Sequence, residues 1–234
     1  MKMKAVLLAA GIGSRLRPLT DTLPKCLVPI NGKPLLDFWL EMLLASKQIS
    51  QICVNLHYLK ERVEEHLDLQ WQKEPRISLH PEKALLGTAG TLKGLKKILI
   101  HNPIMVIHAD NLSKFSLNSF IQAHKNRPRS CSMTMMLFQT DTPSSCGIVE
   151  LSDDGRVVNM HEKIKNPPGN LANGAVYIFE PEILDWIIKH DADDISAQVI
   201  PAHLGKIYTW LNDDYHRDIG TPESYRLANS EYIL

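Results

Sequence analysis

Neither sign of charge prevails in this chain: 26 lysines and arginines stand against 26 aspartates and glutamates. A balanced chain has no overall field to draw in nucleic acid or an acidic membrane, so neither is expected as a partner, and any cationic site must be local. Cysteine is sparse. Cys26, Cys53, Cys131 and Cys146 are widely spaced with no C-x-x-C, which argues against a disulfide framework and points to reduced thiols in a cytoplasmic protein. No apolar run reaches the ~18 residues that span a bilayer, and the mildly apolar first ten residues are too short for a signal peptide. Histidines 57, 80, 108 and 161 form no H-x-x-x-H pair and no cluster with cysteine, so zinc is not expected. Repeats and linker-like stretches are also missing. The 234 residues are therefore expected to form one domain with a substantial core, in which Met133, Met135 and Met136 pack.

What is present is concentrated between Leu8 and Pro29, LAAGIGSRLRPLTDTLPKCLVP. An apolar stretch enters this run and a helix-like stretch follows it. Between them lie Gly11 and Gly13, then Arg15, Arg17 and Lys25. A strand, a glycine loop bearing cations and a helix suit a phosphate. Glycine lets the backbone approach an anion, amide N–H groups point at the oxygens, and fixed cations offset the charge. Two familiar phosphate loops fail. The dinucleotide fingerprint needs a third glycine where Leu16 stands, and Gly32-Lys33 is followed by Pro34 rather than Ser or Thr.

Periodicity predicts strands at Lys4–Ala9, Ile52–Leu56, Ile77–Leu79, Ile104–His108 and Cys131–Phe138. Helices are predicted at 34–46, 59–66, 88–99 and 117–125. That order predicts a Rossmann-like α/β fold with a mostly parallel central sheet, helices on both faces, and ligands at the carboxyl ends of the strands. The second part turns to short strands at Gly147–Leu151, Arg156–His161, Asn173–Phe179 and Lys206–Trp210. Helices are expected at 181–189, 194–204 and 222–230.

The pattern G-x-G-S-R-L-R-P-L-T followed by P-K resembles the signature of the sugar-1-phosphate nucleotidyltransferases. These make nucleotide sugars from a nucleoside triphosphate and a sugar 1-phosphate. Further blocks follow in order: Leu86-Gly87-Thr88-Ala89-Gly90, His108-Ala109-Asp110, Cys146 to Glu150, Glu162-Lys163, Asn173 to Tyr177 and Asp218 to Glu223. The resemblance implies one nucleotidyltransferase domain over 1–234. About 1–130 would bind the nucleotide, and about 131–234, with a small additional β region, the sugar phosphate. It also implies a magnesium cofactor and leaves pairing of two copies open.

By that resemblance Arg15 and Lys25 grip the triphosphate, Asp110 and Asp218 hold Mg²⁺, and Lys163 meets the sugar phosphate. Leu8, Ala10, Gly11, Gly13, Ser14, Gly87 and Thr88 line the nucleotide, while Gly147, Glu162 and Asn173 meet the sugar. The family usually has glycine where Ala109 precedes the first aspartate. Glu82 falls where relatives place a base-reading side chain. A carboxylate there accepts both N1–H and N2–H of guanine, whereas uracil offers one N–H beside repelling carbonyls. Glu82 therefore points to GTP, and the LLGTAG block, Leu85 to Gly90, resembles that of mannose-1-phosphate and manno-heptose-1-phosphate guanylyltransferases, which implies a mannose- or manno-heptose-type 1-phosphate. The alternatives are a uridylyltransferase acting on an N-acetyl-sugar 1-phosphate such as MurNAc 1-phosphate, a cytidylyltransferase acting on phosphocholine, and a non-catalytic nucleotide-sugar-sensing subunit. No hexapeptide-repeat tail follows the Asp218 block, which suggests a single activity.

Overall fold

The computed structural model describes residues 2–232. Two compact units emerge, each assembled from separate stretches of chain. One holds the residues up to Leu85, Ile107–Lys114 and those from Tyr215 onward; the other holds Leu86–Val106 and Phe115–Asp214.

In the first unit the strand Met3–Leu8 pairs in parallel with Ile49–Leu56, which pairs in parallel with Ile77–Pro81. Near-continuous apolar runs suit strands covered on both faces, and Ala5, Val6, Leu7, Ile52, Cys53 and Val54 are fully buried. The helix Leu35–Leu44 starts directly after Pro34, whose fixed φ suits the entry to a helix. It buries Leu35, Leu36, Phe38, Trp39, Leu40 and Leu43. Its Asp37 carboxylate accepts hydrogen bonds from His66 (2.8 Å) and Trp71 (2.9 Å), which tie the helix Lys60–Trp71 to it.

Four strands of this unit were not anticipated, the short pair Pro29–Ile30 and Lys33–Pro34 and one longer pair. Asn111–Lys114 and Tyr215–Asp218 pair antiparallel, with Asp218 opposite Asn111. The Trp39 indole donates to the Asn111 carbonyl at 2.9 Å. The helix Pro222–Glu231 then begins in a capping box, in which Thr221 and Ser224 satisfy each other's backbone N–H groups.

The second unit is built mainly on antiparallel pairs. Leu171–Phe179 runs against Met133–Gln139, and Gly147–Leu151 against Val157–Glu162, while Ile207–Leu211 adds a parallel strand beside Met133–Gln139. Met133, Met135 and Met136 are fully buried. The helix expected over 88–99 divides into Thr88–Gly94 and Lys96–Leu99, because Gly94, a poor helix former, sits at the join. The helix expected over 194–204 becomes a π-helical turn, Ile195–Val199, followed by Ile200–Ala202. Pro201 lacks the N–H that a continuous helix would need there. All four cysteines are free thiols, and among the described residues no helix is long and apolar enough to cross a membrane.

Candidate functional site

The glycine loop is shaped from within. Gly13 has φ 66° and caps a short 3-10 turn, Ser14–Leu16. A Cβ on it would lie 3.1 Å from both Lys25 Cβ and Thr20 Cγ2, so conformation and crowding both call for glycine. The Gly13 carbonyl accepts from the Leu16 amide (2.9 Å) and the Thr20 hydroxyl (2.8 Å), and the Tyr58 hydroxyl donates to the Thr20 carbonyl. Gly11 differs: a Cβ there would meet nothing within 4 Å.

Lys25, Asp110 and Asp218, far apart in sequence, converge in the first unit. The Lys25 ammonium donates to Asp110 Oδ2 at 2.8 Å and to Asp218 Oδ1 at 3.1 Å. Arg15 Nη2 stands 3.7 Å from Asp218 Oδ2. Arg17 turns instead to Asp21, at 3.1 Å. The Lys25 side chain is 7% exposed, whereas those of Asp110 and Asp218 are 42% and 50% exposed, so the cation is sheltered beneath carboxylates that reach solvent. Burial opposes the charge on Asp110, yet attraction to Lys25 and His108 and the bond from Lys25 hold its carboxyl below the usual range. Cys26, next to Lys25, has its thiol pushed by burial up to about 12, which removes it as a nucleophile.

Each of these groups stands beside an apolar anchor. Leu16 follows Arg15, Val28 lies three residues after Lys25, Leu112 two after Asp110, and Ile219 follows Asp218. All four anchors join one core cluster with Ile30, Leu35, Phe38 and Ala228. Burying a side chain of this size stabilises by roughly 1.5–3 kcal/mol, enough to hold each polar neighbour in place. Ala109 is fully buried, and its amide donates to the Leu8 carbonyl. Its backbone lies outside the left-handed region, so its methyl group carries no backbone strain.

Gly220 completes this arrangement. A Cβ there would lie 2.6 Å from Asp218 Oδ2 and 2.9 Å from Arg15 Nη2. The missing side chain is what lets both charged groups fold over the backbone.

Among the described residues no cluster of three or more His, Cys, Asp or Glu side chains suits a metal ion. The hard carboxylate oxygens of Asp110 and Asp218, two of them already bonded to Lys25, are the donors here that could take Mg²⁺. It prefers hard oxygens, keeps several waters and takes one or two carboxylates together with substrate phosphates.

Glu82 belongs to the same unit. Its amide donates to the Leu56 carbonyl (2.7 Å), and its own carbonyl accepts from His57 Nδ1 (3.0 Å). Asn55 Nδ2 donates to its carboxylate at 3.0 Å. Sequence reasoning passed over Asn55. The signal available was one polar residue inside the apolar run Ile52 to Leu56.

The remaining candidates lie in the second unit. Gly87 has φ 80° and a Cβ on it would sit 2.3 Å from the Asp193 carbonyl oxygen, so that carbonyl needs the glycine. The same carbonyl accepts from Ala89 and Gly90, and the Thr88 hydroxyl accepts from Ile195, so the start of the helix Thr88–Gly94 is already capped from inside the unit. Gly147 pairs with Glu162 across the hairpin, and a Cβ at Gly147 would stand 2.7 Å from Glu162 Oε2. Lys163, at φ 51°, donates its amide to Cys146 and holds its ammonium 3.3 Å from Glu162 Oε1. The Asn173 side-chain carbonyl accepts from Ala175 N at 2.9 Å and its amide donates to Tyr177 at 2.8 Å, across an irregularity in the strand pairing.

A parallel α/β sheet thus opens into a glycine loop, with two cations and two carboxylates gathered beside it. The chain belongs to the nucleotidyl transferase family, whose model matches residues 4–233. It is 31% identical over 237 residues to the mannose-1-phosphate guanylyltransferase catalytic subunit beta of Danio rerio, covering 99% of this chain and 65% of that one. It is 32% identical over 242 residues to the UTP–glucose-1-phosphate uridylyltransferase of Synechocystis, covering 95% and 61%. The chain thus spans less than two thirds of the length of these curated relatives. Among solved structures, HddC from Yersinia pseudotuberculosis complexed with GMP-PN matches with TM-score 0.81 and 23% identity, over 98% of this chain and 99% of that one; at this identity the likeness is one of fold.

Proposed function

We propose that this protein transfers a nucleotidyl group from a nucleoside triphosphate, GTP by preference, to a sugar 1-phosphate of the mannose or manno-heptose type. A sugar-phosphate oxygen bonds to the α-phosphorus. The bond from that phosphorus to the bridging oxygen breaks, and its electron pair leaves with pyrophosphate. The obstacle is charge: two unit charges 4 Å apart repel by about 4 kcal/mol at an effective dielectric of 20, and several such terms add as one phosphate approaches a polyphosphate. Catalysis here means positioning and neutralisation rather than covalent chemistry.

The carrying observation is the sheltered Lys25 ammonium shared by Asp110 and Asp218, at 2.8 and 3.1 Å. In this reading the first unit handles the triphosphate. Lys25 and Arg15 offset its charge, amides of the loop from Ala10 to Ser14 meet its oxygens, and backbone near Leu8 and Gly11 meets the base. Asp110 and Asp218 would hold Mg²⁺, which when bound screens phosphate charge and orients the attack. Lys163 meets the sugar phosphate, and Glu162 accepts from sugar hydroxyls. The Asn173 carbonyl, which already takes one bond from Ala175, has a second lone pair for the same purpose.

GTP is favoured by the restrained Glu82 carboxylate and by the guanylyltransferase name of the Danio rerio relative. The uridylyltransferase reading is favoured by the Synechocystis relative's name. The test replaces either aspartate: Asp110→Asn and Asp218→Asn should each lower pyrophosphate release by orders of magnitude while the protein still melts cooperatively. Wild-type turnover in either variant removes the metal assignment and the reading built on it.

A further inference from the structure

Asn55 lies at the carboxyl end of the central strand Ile49–Leu56, between the strands that lead into the glycine loop and into Glu82. It pairs with Leu8 on one side and with His80 on the other. It is 3% exposed. A primary amide carries an acceptor and a donor, and both are used here in opposite directions. Its Oδ1 accepts from the amide of Ala9, where the glycine loop departs, at 2.7 Å. Its Nδ2 donates to the Glu82 carboxylate at 3.0 Å. Glu82 is thereby restrained at three points: its amide by Leu56, its carbonyl by His57 and its carboxylate by Asn55. A glutamate that merely solvated a loop would need none of these. A carboxylate that must meet two N–H groups of a flat base edge benefits from all of them, because a held acceptor loses less freedom on binding.

We propose that Asn55 is a positioning residue for nucleobase selection: it sets the Glu82 carboxylate in register with the start of the phosphate loop, so that base and polyphosphate are read against one frame. This rests on the proposed reading in which Glu82 faces the base. Three other side chains do not serve equally. Aspartate keeps the acceptor for Ala9 but sets a carboxylate against Glu82. Serine is too short to reach both partners, and leucine offers neither group.

The experiment measures kcat/KM for GTP and for UTP, with one sugar 1-phosphate and Mg²⁺, alongside thermal melts. It compares the wild type, Glu82→Gln, Asn55→Asp, Asn55→Ser and the double variant Asn55→Asp with Glu82→Gln. The expected result is a GTP-to-UTP ratio lowered about tenfold or more in each Asn55 variant, comparable to that of Glu82→Gln, with no further fall in the double variant. Asn55→Ser carries the test if the facing carboxylates of Asn55→Asp prevent folding. A purely structural Asn55 would slow both triphosphates equally and leave the ratio intact. If Glu82→Gln lowers the ratio while both Asn55 variants keep the wild-type value, the Asn55 assignment is overturned and the base reading stands. If no variant moves the ratio, Glu82→Gln included, both are overturned.

Discussion

Gly220→Ala separates the geometry of the site from the stability of the fold. The added Cβ would stand 2.6 Å from Asp218 Oδ2, 3.0 Å from Asp218 Oδ1 and 2.9 Å from Arg15 Nη2, where ordinary contact begins near 3.4 Å. The carboxylate must therefore retreat by about 0.8 Å, the difference between 2.6 and 3.4 Å. The atoms in the way are the ends of two flexible side chains, each at least half exposed, so the backbone can stay where it is. Gly220 does not adopt a positive φ, so alanine meets no conformational penalty. The folding cost should stay under about 1 kcal/mol, partly offset by the reduced freedom of the unfolded chain. The catalytic cost should be much larger. Displacing a positioning group by about 1 Å can lower turnover on the order of 100-fold, and Asp218 would also lose its 3.1 Å bond from Lys25. Steady-state pyrophosphate release, read beside a thermal melt, makes the comparison. Unchanged turnover would refute the argument that Gly220 makes room for Asp218 and Arg15. A fall of more than about 4 °C in melting temperature would show instead that the backbone, not the side chains, gave way.

Two further outcomes concern stability. His124 is fully buried, its Nδ1 bonded to the Thr134 hydroxyl (2.8 Å) and its Nε2 to the Glu180 carboxylate (3.2 Å), which Arg127 also pairs. Burial, helped by the Arg127 charge, pushes its pKa from 6.5 to about 3, so between those values the unfolded chain binds the extra proton. Stability from this group is complete above 6.5 and declines as pH falls, by about 2 kcal/mol between pH 7 and pH 5. Urea melts should show that slope in the wild type and a shallower one in His124→Gln; equal slopes would contradict it. Thr221→Ala removes the capping box of the helix Pro222–Glu231 and should cost about 1 kcal/mol, a drop of roughly 2–4 °C in melting temperature. A melt indistinguishable from wild type would show that the cap is not needed.

The parts legible in the sequence were those whose cause is local. The run Lys4–Ala9 had to be a buried strand because it is apolar after its first residue, and Gly13 marked a loop because only glycine sits easily at φ 66° under Lys25 and Thr20. Pairings between distant segments were not legible. Asn111–Lys114 and Tyr215–Asp218 are short and mixed in polarity, and neither shows an alternation of its own. They become strands only because each supplies the other's hydrogen bonds, 103 residues apart at Ser113 and His216. That pairing is what sets Asp218 beside Asp110. Gly87 was noticed as part of a block, but its reason, the Asp193 carbonyl, lies beyond any local window. Asn55 escaped notice because one polar residue in an apolar strand does not announce its partners. The division of the 88–99 helix at Leu95 was written in Gly94 and outweighed by the apolar periodicity around it.

The most direct measurement is a pyrophosphate-release screen of the four ribonucleoside triphosphates against a panel of sugar 1-phosphates in the presence of Mg²⁺. The predicted result is release that requires both substrates, is fastest with GTP and a mannose- or manno-heptose-type 1-phosphate, and collapses in Asp110→Asn. Release that ignores the sugar phosphate, or none with any pair, would contradict it.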